Sequence, residues 1–304
     1  MRLLTRSDFD GLVCAVLLKE AGIIDDRKFV HPKDLQDGII EVFENDVLAN
    51  VPFVKGCGLW FDHHSSEDER LKLQGQYKGA SRPAPSAARV IYEYYGGKEV
   101  FRHLDELLAA VDKADSAQFT VEEILHPRGW VLLSLIMDPR TGLGRFKDYR
   151  ISNYQLMDEL IEYCRKFSID EILNLSDVQE RVERYFEQNE LYKEMLRKNT
   201  RTDANIVITD LRGVEVIYTG NRFLIYSLYP DQNISIWIVD GKNKQNCVFA
   251  VGHSITNRTS KTNVGSLTLK YGGGGHRAVG TCQVPYAEAE RVLGELVAAM
   301  KKDG

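Results

Sequence analysis

Residues 58–64 read Gly-Leu-Trp-Phe-Asp-His-His, a short apolar run that ends in one carboxylate and two imidazoles. An apolar run of this length is typical of a strand. Residues 2–6 and 38–43 are further strand candidates, and residues 11–20 and 86–95 have helical patterns. This alternation predicts an α/β fold whose N-terminal lobe contains a mostly parallel sheet covered by helices.

The pattern changes twice farther along the chain. Residues 105–198 are mainly helical, and residues 176–198 carry charges of both signs three and four positions apart, which is typical of a solvated helix. After residue 200 the chain returns to short β-rich runs and ends in an amphipathic helix. The runs are residues 204–209, 214–218, 234–239 and 247–251, and the helix is residues 286–302.

These changes predict two domains joined by a helix. The first domain is residues 1–175, with a helical extension at residues 125–175, and the helical linker is residues 176–203. The second domain, residues 204–304, is a smaller α+β lobe. A chain of 304 residues is longer than one hydrophobic core usually supports, which agrees with two domains.

Charge and composition exclude several classes of protein. Lys and Arg number 39 against 44 Asp and Glu, whereas proteins that coat long DNA or RNA carry a basic excess. The cysteines are scattered without a C-x-x-C pair, which favours a reducing cytoplasm. No run approaches the about 20 apolar residues that span a bilayer, and no signal-peptide pattern opens the chain. We therefore expect a cytoplasmic protein with no membrane or long-duplex partner, and a small anionic ligand is compatible with its charge.

Four acidic or histidine-containing clusters each follow an apolar segment of the first lobe. Because the carboxyl ends of strands in open α/β sheets converge on one crevice, we expect these clusters to meet there. Taken singly, an Asp at a strand end is more often a helix cap or a turn residue. The clusters are Ser7-Asp8-Phe9-Asp10-Gly11, Glu44-Asn45-Asp46, Asp62-His63-His64 and Asp112-Lys113-Ala114-Asp115.

Together the clusters suggest a metal centre. Carboxylates mixed with imidazole suit Mn²⁺, and Mg²⁺ is a harder alternative that prefers oxygen. Two such ions about 3.5–4 Å apart would activate a water and stabilise both oxygens of an in-line phosphoryl displacement. Asp62, beside His63, can hold an imidazole in place. The candidate ligands are Asp8, Asp10, Asp46, His63 and Asp115, with Asp112 as the alternative to Asp115.

A run of glycines stands out in the second lobe, where residues 271–277 read Tyr-Gly-Gly-Gly-Gly-His-Arg. Glycines without Cβ atoms let a ligand approach the backbone N–H groups, which can then surround phosphate oxygens. His276 and Arg277 add donors and positive charge, and Arg258 in a preceding polar loop suits bidentate phosphate binding. A flexible turn between strands is the alternative explanation of the glycine run.

These motifs together resemble the DHH superfamily of phosphoesterases with its associated C-terminal domain. The triplet Asp62-His63-His64 matches the motif that names the superfamily, and residues 7–11 match its first motif. Asp46 stands for the second motif and residues 115–119 for the fourth, while the C-terminal Gly-Gly-Gly-Gly-His is intact at residues 272–276. The relatives include RecJ-type exonucleases and oligoribonucleases and, more distantly, exopolyphosphatases and pyrophosphatases.

The resemblance implies a role for each matched residue. The five candidate ligands would hold two Mn²⁺ ions, with His64 beside the scissile phosphate and Asp62 supporting catalysis. The far phosphate or nucleotide would bind in the second lobe, and the active site would be a cleft between the lobes. The implied substrate-binding residues are Arg258, Gly273, Gly274, Gly275 and His276.

One position departs from the family pattern. Many relatives have a histidine ligand a few residues before the first pair of aspartates, where this chain has Leu3-Leu4-Thr5-Arg6. Three alternatives follow for the metal nearest Asp8: it is weakly held, bound only with substrate, or absent. Arg6 is then available to contact a phosphate.

The leading functional prediction is a metal-dependent phosphodiesterase that hydrolyses short oligonucleotides, dinucleotides or a related small nucleotide. The first alternative is a phosphoanhydride hydrolase of the exopolyphosphatase or pyrophosphatase type, for which the same metal centre would serve. The second is a nucleotide-binding protein with little turnover, which the missing histidine motivates. A homodimer is compatible with the sequence.

Overall fold

The structure, a computed structural model, describes residues 1–64 and 77–304. Contacts between residues divide it into two compact units, each with its own sheet. Unit 1 contains Met1–Gln118 and Pro127–Arg184, and unit 2 contains Phe119–His126 and Tyr185–Gly304. The predicted α/β fold with two lobes is confirmed.

The sheet of unit 1 is parallel, as predicted. Its five strands pair in the order β2-β1-β3-β4-β5, and each neighbouring pair runs in the same direction. The strand interior is apolar: Leu4, Leu48 and Trp60 are fully buried. The strands are β1 (Arg2–Arg6), β2 (Asp26–Val30), β3 (Asp46–Ala49), β4 (Leu59–Asp62) and β5 (Gly79–Ser81).

Helices cover this sheet, and the most buried of them is α1 (Phe9–Glu20). Every residue from Phe9 to Leu18 is buried, as expected of a helix that is apolar on all sides. The other helices of unit 1 are α2 (Pro32–Gln36), α3 (Ala87–Tyr94), α4 (Lys98–Phe101), α5 (Asp105–Asp115), α7 (Gly129–Met137), α8 (Asn153–Lys166) and α9 (Ile169–Leu173). Helix α6 (Val121–Leu125) belongs to unit 2, and α10 (Ser176–Asn199) has residues in both units.

Two predicted strands are wrong. Residues 38–43 form no strand, because Ile39 and Phe43 lie exposed and the chain enters the sheet only at Asp46. Residues 214–218 are irregular for a similar reason, since Val216 and Ile217 face solvent. The first error moves Asp46 from the end of a strand to the beginning of one.

Unit 2 contains a mixed sheet of six strands in the order β10-β11-β9-β8-β7-β6. Only β7 and β8 pair in parallel, and the other neighbours are antiparallel. The strands are β6 (Thr200–Asp203), β7 (Ile206–Asp210), β8 (Ile234–Asp240), β9 (Cys247–His253), β10 (Gly274–His276) and β11 (Val279–Val284). The helices, besides α6, are α11 (Leu224–Leu228), α12 (Val264–Leu269) and α13 (Tyr286–Asp303).

The boundaries of the two compact units differ from those of the predicted domains. The domain boundaries stay a prediction. The segment Phe119–His126 packs within unit 2, where the Phe119 and Phe223 ring centroids are 5.5 Å apart. Asn221 Nδ2 also donates to the Ile124 carbonyl at 3.4 Å. No pattern in the sequence indicates this return of the chain to unit 2. The predicted cleft between the lobes likewise stays a prediction.

Within the described ranges, no helix is both long enough and apolar enough to cross a membrane.

Candidate active site

Polar side chains gather at the carboxyl edge of the unit 1 sheet. Asp8 follows β1, Asn50 follows β3, and Asp62 ends β4 with the two histidines directly after it. Strand β3 lies between the other two, with Ala49 paired to both Thr5 and Phe61. Because the three strands are parallel neighbours, these side chains leave the sheet at the same edge.

Three of the predicted ligands come together there. His63 Nε2 lies 3.3 Å from Asp115 Oδ2 and 3.8 Å from Asp10 Oδ2. The ligand atoms of Asp10, His63 and Asp115 all lie within 4.8 Å of one another, close enough to share one metal ion. We call these three residues the metal-ligand group.

The tautomer of His63 shows that this group suits a cation. His63 Nδ1 lies 3.1 Å from the Ala84 carbonyl, which can only accept, so Nδ1 carries the proton. In a neutral ring Nε2 then presents a lone pair. Nε2 is buried with no hydrogen-bond partner among the described residues, and it faces two carboxylates. One imidazole nitrogen and two carboxylates are a donor set that a divalent transition metal satisfies.

Asp10 is held by the amino end of helix α3. Its carboxylate accepts from the Ala87 and Ala88 N–H groups, each at 2.9 Å. Burial, followed by the nearby charges of Asp115 and Asp8, raises the pKa of Asp10 well above its usual range. A cation in the metal-ligand group would offset that charge repulsion.

The two aspartates of α5 have different partners. Asp112 is an ion-pair partner of Arg89, with Asp112 Oδ2 to Arg89 Nε at 2.9 Å, and it accepts from Ser86 Oγ at 2.7 Å. Asp115, the last residue of α5, lies beside His63. The sequence left open whether Asp112 or Asp115 is the ligand. The structure brings Asp115 into the metal-ligand group.

Asp8 lies at the same edge of the sheet, and other protein groups already contact its carboxylate. Asp8 Oδ1 caps α1 by accepting from Gly11 N at 2.9 Å, and it also accepts from Asn50 Nδ2 at 3.0 Å. Arg6 Nε lies 3.0 Å from Asp8 Oδ2. Burial raises the pKa of Asp8, and the Arg6 charge opposes that rise.

Asp62 orients His64 rather than His63. His64 Nδ1 lies 2.9 Å from Asp62 Oδ1, and this hydrogen bond raises the pKa of His64. His64 also lines a cavity of about 200 Å³ together with Arg6, Asn50 and Asp62. These polar side chains therefore line one side of a small cavity whose other walls include Pro32, Val51 and Pro52.

The prediction that Asp46 is a metal ligand is wrong. Asp46 begins β3 and pairs in register with Arg2, at the amino edge of the sheet. Both carboxylate oxygens are occupied there by Arg2 Nε and Nη2, each at 2.8 Å. The residue that follows β3 is Asn50, which the sequence reasoning missed. The buried run at residues 47–49 was the signal that could have identified it.

In unit 2 the glycine run forms part of a hairpin. Gly274, Gly275 and His276 make up β10, which pairs with β11. A Cβ on Gly273 would lie 2.0 Å from Thr281 O, and one on Gly275 would lie 2.2 Å from Val279 O, whereas one on Gly274 would meet open space. Close strand approach thus accounts for Gly273 and Gly275.

The remaining substrate-binding candidates of unit 2 are solvent-exposed. His276 ends β10, and Arg258 lies in the loop after β9, where its Nε donates to the Ile255 carbonyl at 3.1 Å. Both side chains are accessible to a ligand. Their role in substrate binding stays a prediction.

The structure thus combines, in unit 1, a parallel sheet with carboxylates and imidazoles at its carboxyl edge and, in unit 2, a glycine–histidine hairpin. The chain is 52% identical to the pGpG-specific phosphodiesterase PggH from Vibrio cholerae, with 100% of this chain and 99% of that chain covered and a TM-score of 0.86. An exopolyphosphatase-related protein from Bacteroides fragilis is 13% identical, with 99% and 92% covered and a TM-score of 0.54, and it shares the fold. Neither a protein-family model nor a curated protein sequence matches the chain.

The chain therefore belongs to the DHH superfamily of phosphoesterases, as its motifs predicted. The prediction of a hydrolase that acts on phosphate esters is confirmed with it.

Proposed function

We propose that the chain is a divalent-metal-dependent phosphodiesterase that hydrolyses a dinucleotide of the pGpG kind to mononucleotides. The observation that carries this proposal is the buried His63 Nε2, which faces Asp10 and Asp115 with no hydrogen-bond partner in the described ranges. The Vibrio protein, 52% identical over the whole chain, is a pGpG-specific phosphodiesterase, which supports the substrate class. We also propose that the protein acts in the cytoplasm, and a homodimer stays a prediction.

The proposed ion is Mn²⁺, with Mg²⁺ as the alternative, and its ligands are Asp10, His63 and Asp115. The imidazole favours Mn²⁺, because Mg²⁺ prefers oxygen ligands and retains its waters. When bound, the ion supplies a Lewis acid that polarises a phosphoryl oxygen and neutralises developing negative charge.

Hydrolysis adds one water across a P–O ester bond. The water oxygen bonds to phosphorus, and the ester oxygen leaves with the electron pair of the broken bond and takes up a proton. We propose that His64 in its imidazolium form donates a hydrogen bond to the phosphate through Nε2, because both ring nitrogens then carry protons and Asp62 accepts the one on Nδ1 at 2.9 Å. Asp62 thereby acts as a positioning residue for His64.

A larger cavity near Asp8 supports a nucleotide over polyphosphate as the substrate. It measures about 510 Å³ and is lined in part by Ser7, Ile136, Met157 and Lys147. Small-molecule sites commonly have volumes of about 300–1,000 Å³ and mainly apolar walls with a few polar groups. We propose that one nucleoside of the substrate binds here, since polyphosphate has no apolar part that would contact Ile136 and Met157.

For unit 2 we propose that its exposed Arg258 and His276 bind another phosphate of the substrate. Arg258 and His276 would contact the phosphate with side-chain donors, and the backbone of the glycine run would add N–H groups. Gly274 is the best candidate among the glycines, because its side-chain position is open. Gly273 and Gly275 would then contribute backbone groups only.

The decisive experiment incubates the purified protein with pGpG and Mn²⁺ and measures GMP by chromatography. We expect GMP from the wild type and a loss of GMP release in Asp115→Asn. Asp46→Asn is the matched control, because it removes the same charge at the opposite edge of the sheet and should retain activity. Phosphate release from polyphosphate or pyrophosphate, without GMP release from pGpG, would instead identify a phosphoanhydride hydrolase. Equal GMP release by the wild type and Asp115→Asn would contradict the proposal.

A further inference from the structure

The two aspartates of residues 7–11 differ in what surrounds their carboxylates. Asp10 accepts from the Ala87 and Ala88 N–H groups, and its Oδ2 also lies 3.8 Å from His63 Nε2 within the metal-ligand group. Asp8 Oδ1 accepts from Gly11 N and Asn50 Nδ2, and Asp8 Oδ2 lies 3.0 Å from Arg6 Nε. A guanidinium therefore lies against Asp8, whereas an imidazole lies beside Asp10.

The ion pair between Arg6 and Asp8 occupies the place that a second ion would take. Arg6 Nε lies 3.0 Å from Asp8 Oδ2. A second divalent cation on Asp8 would be repelled by the positive charge of Arg6 and would have to displace Arg6 from the carboxylate.

The chain has Asn50 at the position where a second ion would need a carboxylate. It follows β3 at the carboxyl edge, between the ends of β1 and β4, and its Nδ2 donates to Asp8 Oδ1 at 3.0 Å. An amide that donates to Asp8 brings no negative charge to this position. The residues around Asp8 therefore do not fit the predicted second ion, whereas Asp10, His63 and Asp115 fit the first.

We propose that this centre holds one divalent cation, on Asp10, His63 and Asp115, and that the Arg6 guanidinium stands in place of a second cation and binds a phosphoryl oxygen of the substrate. The phosphate-binding part of this inference rests on the proposed function. Asp8 and Asn50 then act as positioning residues: Asp8 holds Arg6 through Nε, and Asn50 holds Asp8.

The cavity beside Arg6 has the size and lining for a phosphate group. Its volume is about 200 Å³, and Arg6, Asn50 and His64 line it beside the apolar residues Pro32, Val51 and Pro52. This is smaller than the about 300–1,000 Å³ of sites for drug-sized ligands, so it suits a phosphate rather than a nucleoside. A guanidinium has five N–H donors, and Asp8 engages Nε, so the terminal nitrogens can bind phosphate oxygens in pairs.

The number of bound ions tests the first part without measuring activity. The full-length protein is freed of metal with a chelator, then titrated with MnCl₂ in a calorimeter, and its electron paramagnetic resonance spectrum is recorded. We expect one tight equivalent and the spectrum of an isolated Mn²⁺ ion. Two tight equivalents, or the spectrum of a spin-coupled pair, would overturn the single-ion centre.

Phosphate binding tests the role of Arg6. Inorganic phosphate is titrated into the Mn²⁺-loaded wild type, Arg6→Ala, Arg6→Lys and the double variant Arg6→Ala/Asp8→Asn. We expect Arg6→Ala to lose about tenfold to a hundredfold in phosphate affinity, and Arg6→Lys to lose less. The double variant guards against misfolding, because it removes the buried Asp8 charge together with its partner; it should keep one Mn²⁺ and the weak phosphate binding. Wild-type phosphate affinity in both alanine variants would refute the role of Arg6.

The outcomes separate this inference from the proposed function. A protein that binds one Mn²⁺ and needs Arg6 for phosphate, yet does not cleave pGpG, would retain the inference and reject the substrate. A protein that cleaves pGpG with two bound Mn²⁺ ions would retain the proposed function and reject the inference.

Discussion

The carboxyl edge of the unit 1 sheet and the glycine hairpin of unit 2 differ in how fully the fold explains their residues. At the carboxyl edge, His63 Nε2 is buried with no hydrogen-bond partner in the part of the chain that the structure describes, and it faces two carboxylates, an arrangement that packing alone would not favour. In the hairpin, Gly273 and Gly275 leave no room for a side chain against β11. The arrangement at the first site points to a ligand, whereas close strand packing explains Gly273 and Gly275 at the second site without one.

The largest effect should come from removing one charge of the metal-ligand group. We predict that Asp115→Asn lowers kcat/KM for pGpG at least about a hundredfold, because even supporting residues of metal sites cost about tenfold to a hundredfold. Steady-state kinetics with Mn²⁺ measures this, and Asp46→Asn is the control. If Asp46→Asn loses as much activity as Asp115→Asn at unchanged thermal stability, the separation of the two edges is wrong.

The next effect tests which glycines of the hairpin are required for packing. We predict that Gly275→Ala lowers the free energy of unfolding by about 1–3 kcal/mol, because its Cβ would lie 2.2 Å from Val279 O. Gly274→Ala should change it by less than about 0.5 kcal/mol, since its Cβ would meet open space. Urea unfolding measures both. An equal loss of stability in the two variants would contradict the packing explanation.

A smaller effect tests how His64 is oriented. Asp62→Asn should lower kcat about tenfold to a hundredfold, because the amide holds His64 Nδ1 less strongly than the carboxylate does. The ligand atoms of Asp62, His63 and His64 also lie within 4.8 Å of one another, but His64 already engages Asp62, so we expect Mn²⁺ affinity to change little. Calorimetric titration with MnCl₂ accompanies the kinetics. A large loss of Mn²⁺ affinity with kcat unchanged would make Asp62 a metal ligand instead.

The smallest effect lies at an ion pair of helix α8 that belongs to neither region and provides a baseline. Hydrogen bonds from Lys19 and Lys166 lower the pKa of Glu162 to about 2. A carboxyl whose pKa is lowered by folding stabilises the protein above its unfolded pKa and loses that contribution as the pH falls. Glu162→Gln should therefore cost less than about 1 kcal/mol at pH 7, and the difference from the wild type should shrink between pH 5 and 2, about where the two pKa values lie. Thermal unfolding across this range would show a constant difference if the ion pair contributes nothing.

The sequence predicted those parts of the site that depend on local patterns. Strand β1 and the run before Asp62 are largely apolar segments that end in polar residues. Both strands, and the polar side chains that follow them, could therefore be predicted from the sequence. The metal-binding residue types and the family followed from the same motifs. The choice of Asp115 over Asp112 could not be made, because it depends on Arg89 and Ser86, which pack against Asp112 from another helix.

Asp46 and Asn50 show most clearly what could not be predicted from the sequence. Residues 38–43 have the composition of a strand, but Ile39 and Phe43 remain exposed, and no local rule distinguishes this run from the buried one at residues 47–49. Pairing with β1 and β4 decides which run enters the sheet. That choice places Asn50 at the carboxyl edge and leaves Asp46 paired with Arg2.

The most direct test of the metal-ligand group is anomalous diffraction at the manganese edge from crystals grown with MnCl₂. We predict one strong peak within bonding distance of His63 Nε2, Asp10 and Asp115, with no peak at Asp46. A peak at Asp46, or no peak beside His63 at saturating Mn²⁺, would contradict the proposed centre.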